Sequence, residues 1–135
     1  MKTYALRLKK GDKLKESILD VCIKEKIKAG VVISSVGSLD KAYIRGATGE
    51  VVKEFNMPLE IISLNGTVSY ERIHLHISVS DKDYNVYGGH LMNGCIVNTT
   101  VELVILVLDN YQFASEFDES TGYNEIKIID IDKEY

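Results

Sequence analysis

Proline is almost missing from this chain, with 1 residue in 135 beside 10 glycines. That scarcity, with 45% apolar residues, excludes a collagenous, low-complexity or intrinsically disordered chain. Cysteine is as sparse. Cys22 and Cys95 are the only two, and no CxxC pair offers a thiolate metal site. Cys22 falls inside a helical pattern, so both read as buried free thiols rather than a disulfide. Long apolar runs are lacking too. MKTYALRLKKGDK holds no run of the roughly seven residues a signal peptide needs. The longest run, Leu103 to Leu108, falls far below the roughly 18 residues of a membrane span. A soluble, cytoplasmic protein is expected. No P-loop, nucleophile elbow or GxGxxG occurs, and Val36-Gly37-Ser38-Leu39 reads as a turn.

What is present favours strands. The 135 residues suit one domain over 1–135. Fifteen Ile, 13 Val and 6 Thr point to a strand-rich fold with helix in the minority. The net charge of −4 is uneven: residues 109–135 hold eight acids against Lys127 and Lys133, whereas the first 28 residues hold nine Lys/Arg against four acids. Neither end offers a Lys/Arg-rich arm, which argues against a protein that neutralises many phosphates by itself.

Residues 3–9 alternate as a half-buried strand does. Leu14, Ile18, Val21 and Cys22 then recur at helical spacing, which predicts an amphipathic helix over about 12–28, with Asp12 as N-cap and Gly30 as the stop. The β-branched stretches up to residue 70, punctuated by Gly37, Gly46, Gly49, Pro58 and Gly66, predict three or four antiparallel strands. IHLHISVS (73–80) alternates cleanly, with His74, His76, Ser78 and Ser80 on one face. Cys95 to Leu108 reads as a central strand. Asn98, Thr100 and Glu102 share one face of it, and a carboxylate in a mostly buried strand is costly without a partner. Residues 110–124 look like an irregular loop, and EIKIIDI like a last strand. The expected class is α+β, a mainly antiparallel sheet with one principal helix.

All three histidines, His74, His76 and His90, fall within 17 residues. Imidazoles at i and i+2 of a strand stand roughly 6.5–7 Å apart at the backbone and can lean onto one metal. Gly88-Gly89 would turn the chain sharply enough to aim His90 at the same face. Asn98, Thr100 and Glu102 are candidates for outer hydrogen bonds to such a site. Alternatively, the histidines are satisfied polar groups on a half-buried sheet face or a subunit interface, bonded to Ser78, Thr or backbone. Glu102 is a candidate proton carrier. Cys95, near His90, reads as a buried thiol rather than a nucleophile.

Several spaced motifs carry a likeness: Ile73-His-Leu-His-Ile-Ser, Asp81, Gly88-Gly-His-Leu, Gly94-Cys95, Thr100-Val-Glu-Leu-Val, Glu60-Ile-Ile-Ser-Leu-Asn-Gly and Phe117-Asp-Glu-Ser-Thr-Gly-Tyr. Together they closely resemble the plants-and-prokaryotes-conserved domain, called PPC or PCC, over nearly the whole chain. The resemblance implies a homotrimer and a pocket near subunit contacts that holds zinc or another divalent metal, with His74, His76 and His90 matching the HLH and GGH motifs. It also implies an association with DNA and transcription, although the Arg-Gly-Arg-Pro core of an AT-hook is missing here. The expected function is a binding or assembly module with a His-lined metal or small-ligand pocket. The second reading is a metal-dependent enzyme acting on a small polar metabolite.

Overall fold

Alternation at the N-terminus yields the strand it predicts. In the computed structural model, which describes residues 1–133, β1 (Lys2–Lys9) turns Tyr4, Leu6 and Leu8 inward. Asp12 does not cap the helix. Its Oδ2 instead accepts the Lys9 N–H at 2.8 Å and closes the turn. The helix α1 (Leu14–Lys24) starts without a side-chain cap. The Leu14 N–H donates to the Cys95 carbonyl at 2.9 Å, which ties the helix start to a later strand. The helix is shorter than its periodicity suggests because Lys26 adopts a left-handed φ of +53°. Lys26 N–H then donates to Ile23 O at 3.2 Å and Ile27 N–H to Cys22 O at 2.9 Å, a paired closure that ends the helix before Gly30.

Two long strands, not three or four short ones, follow: β2 (Gly30–Arg45) and β3 (Val52–Val68). Next come β4 (Ile73–Ser80), β5 (Val86–Leu91), β6 (Ile96–Val107), β7 (Tyr111–Asp118) and β8 (Tyr123–Asp130). Residues read as an irregular loop are thus mostly β7 and the turn into β8, a two-stranded antiparallel sheet. The main sheet runs β1-β6-β2-β3-β4-β5, and the end of β2 also pairs with β5. All its pairings are antiparallel. Strand β2 thus lies beside β6 for most of its length and beside β5 only at Ile44 and Arg45, which closes β2, β3, β4 and β5 on one another. The fold is α+β, mostly antiparallel sheet with one helix among the described residues.

The core explains this layering. Leu14, Ile18 and Cys22 of α1 are fully buried with Leu75, Ile77 and Val79 of β4 and Val97, Val101, Leu103 and Ile105 of β6. Each large aliphatic side chain contributes about 1.5–3 kcal/mol by leaving water. Both cysteines are buried and free, as expected. Burial raises the Cys22 thiol to about 11. Because the odd-numbered residues of β4 are committed to the core, the even-numbered ones, His74 and His76 among them, face away from it.

Candidate metal centre

The β-ladders place the histidines. His76 of β4 stands opposite His90 of β5, while His74 lies two residues before His76. Ring centroids are 5.4 Å apart for His74–His76, 5.1 Å for His74–His90 and 5.7 Å for His76–His90. One ring nitrogen from each lies within 4.8 Å of the others. Ligands at about 2.0–2.1 Å from a tetrahedral ion sit roughly 3.4 Å apart, so small rotamer changes close the set. This group could hold a metal.

Gly88 and Gly89 achieve this differently from the sharp turn expected of them. Both belong to the extended β5. A Cβ on Gly88 would sit 2.8 Å from the Ile77 carbonyl oxygen, and one on Gly89 would sit 2.5 Å from that of Arg45. Their lack of side chains lets β5 press between β4 and β2, and ladder register then aims His90.

Electrostatics keep two rings neutral. Burial, then the charge of Arg45, pushes His90 down to about 4. Burial, then Arg72, lowers His74. A neutral imidazole keeps the lone pair that a metal needs. Among the described residues no imidazole of the three hydrogen-bonds to the protein, and Ser78 pairs with Ser63 at 2.6 Å. Within one chain, that leaves the alternative of hydrogen-bonded imidazoles without Ser78 as a partner.

Around the rings lies a cavity of about 420 Å³, walled also by Arg45, the loop 46–49, Gly88, Gly89 and Tyr123. Asn98, Thr100 and Glu102 do not line it. Asn98 borders a separate cavity with Ser38 and Asp81. Thr100 Oγ1 donates to the Leu8 carbonyl at 3.1 Å. Glu102 is exposed opposite Arg7 of β1, so the expected cost of a buried carboxylate does not arise. Cys95 is walled in by Tyr43 and Met92 and raised by desolvation, which makes it a packing thiol. Sequence reasoning missed Arg45 and Tyr123. Arg45 ends a strand whose length was not legible, and Tyr123 opens β8 in a stretch read as loop.

Comparison with known proteins places the fold. A 128-residue stretch is 37% identical to part of the bifunctional protein GlmU of Synechococcus sp. (strain JA-2-3B'a(2-13)), covering 95% of this chain but 20% of that protein's length. A hypothetical protein from Salmonella cholerae-suis superposes with a TM-score of 0.92 at 35% identity, over 96% of this chain and 94% of the other. A metal-containing protein from Archaeoglobus fulgidus does so with a TM-score of 0.83 at 33% identity, over 94% of each chain. Residues 1–109 match the model of the Plants and Prokaryotes Conserved (PCC) domain, and the chain therefore belongs to that family.

Proposed function

We propose that this chain is a homotrimeric binding module whose His74, His76 and His90 hold a divalent metal, zinc first, in a pocket open to a small ligand. The observation that carries it is the convergence of three ring nitrogens within 4.8 Å. Three imidazoles suit zinc and leave a fourth position for water or ligand. The metal-containing Archaeoglobus fulgidus protein, 33% identical, supports the reading. Metal analysis of protein purified without chelator or affinity tag should find about one ion per chain. A folded His74→Ala/His76→Ala/His90→Ala variant that keeps its metal would sink the site.

Exposed apolar side chains support assembly. Val36 and Ile62, 60% and 57% exposed, sit beside each other on neighbouring strands, flanking the Gly37–Ile61 pair. Exposed apolar side chains side by side on a sheet face are available to a second chain. A solution mass of three chains of 15.1 kDa is expected, and a clean monomer would refute it.

Binding fits better than catalysis, since the one proposed proton carrier, Glu102, does not border the cavity. DNA association is a separate matter. Eight acids against two lysines in residues 109–135 oppose phosphate. Titration against duplex at roughly 50 mM salt tests it: a complex that weakens steeply with added salt would assign DNA to this domain.

A further inference from the structure

We propose that the histidine pocket takes a small carboxylate-bearing ligand, with Arg45 as its charge partner. The inference rests on the metal reading only for a ligand oxygen at the fourth coordination position; the preference for an anion stands on the protein wall itself. Arg45 lies directly opposite His90 where β2 meets β5, and it lines the cavity with the three imidazoles. Its Nε is buried without a hydrogen-bond acceptor, and so is Nη1 of Arg72, in a separate cavity that Glu16, Asp20 and Glu71 also line. Among the described residues neither guanidinium has a carboxylate within 4.0 Å, the ion pairs being Lys41–Glu54 and Lys133–Asp130. A buried donor left without an acceptor is destabilising until a ligand supplies one.

The surroundings reinforce the sign. Arg45 and Lys15 both act on His90, and Arg72 and Lys15 on His74, with Glu125 as the opposing carboxylate at His74. Glu16, beside Lys15, has Oε2 engaged by the Gly94 N–H at 3.0 Å, while its Oε1 is buried without a hydrogen-bond partner. A divalent ion on the imidazoles would add to this positive wall, so the balancing ligand carries negative charge. Arginine presents a planar fork that matches two carboxylate oxygens. The Tyr123 ring, 5.8 Å from Arg45 Cζ, flanks that fork and supplies an apolar wall. One fork serves a two-oxygen group fully, whereas a phosphate would leave further oxygens without donors. The cavity of about 420 Å³ suits a small metabolite.

The test is calorimetric titration of the full chain, zinc-loaded and metal-free, with glycolate, its neutral amide glycolamide and inorganic phosphate. Glycolate should bind at least about 10-fold tighter than glycolamide, the size of one charge-assisted hydrogen bond. Arg45→Met should remove that preference. Arg45→Lys, which keeps charge and stem, should retain part of it, and so answers for any folding loss in the Met variant. Equal binding of glycolate and glycolamide, an unchanged preference in both variants, or tighter binding of phosphate overturns the proposal. Protein that holds zinc yet does not discriminate overturns this inference alone. Protein that binds no zinc yet shows the Arg45-dependent preference supports it, and the metal reading alone fails.

Discussion

His76 and His90 face each other across the β4–β5 ladder, so backbone hydrogen bonding rather than a loop sets the spacing of their rings. Replacing His90 by alanine should leave the strand intact and remove one of three ligands. Outer-shell changes at metal sites typically cost about 10–100-fold in affinity, so loss of a ligand should cost at least about 100-fold. Competition with a chromophoric chelator measures it, and near-unchanged affinity would remove His90 from the site.

Acid should weaken the metal-free protein through these groups. His90 is pushed down to about 4 and His74 is lowered, whereas histidines of an unfolded chain take protons near pH 6.5. From roughly pH 6.5 down to about 4 the unfolded state binds more protons, so stability falls as pH falls and this contribution is level above that window. Urea midpoints at pH 7.5, 6 and 5 should decline in that order. His90→Gln should flatten the decline, and an unchanged slope would speak against its role.

Gly89→Ala should be expensive for its size. Its Cβ would lie 2.5 Å from the Arg45 carbonyl oxygen and 2.9 Å from Ile44 Cγ2. Overpacking of this kind costs about 1–3 kcal/mol. We expect a lower thermal midpoint together with weaker metal binding, because β5 carries His90. A variant with native melting and native metal content would show that β2 and β5 need no such close approach.

Lys26→Gly should stabilise the protein. Lys26 holds φ at +53° at the helix end, a conformation costing an ordinary residue about 1–2 kcal/mol and glycine almost nothing. The added freedom of glycine in the unfolded chain offsets part of that gain, leaving an expected increase of up to about 1 kcal/mol. Chemical denaturation checks it, and a fall in midpoint would contradict the account.

Ile18→Ala removes a fully buried side chain from α1 and should cost about 2–5 kcal/mol. A loss below about 1 kcal/mol in urea would mean that the helix is not anchored by this face.

Period-two alternation in β4 made the histidine pair legible, because core demand on Leu75, Ile77 and Val79 leaves only one direction for His74 and His76. The central position of β6 was equally legible from its apolar content. The lengths of β2 and β3 were not. Gly37 looks like punctuation, yet it sits inside β2 where the strand crosses close to Val101. Pro58 lies beside the register shift between Leu39 and Lys41, where a ladder tolerates a missing N–H. Arg45 escaped notice because its meeting with His90 depends on a strand exchanging neighbours, a tertiary event with no local signal.

That β1 pairs, among the described residues, with β6 alone, Lys2 opposite Val107, has a consequence for biosynthesis. Strand β1 leaves the ribosome well before β6, and meanwhile its backbone donors and acceptors must be satisfied by water. Completing the sheet is therefore a late event, and such distant pairing belongs to proteins that fold in milliseconds to seconds rather than microseconds.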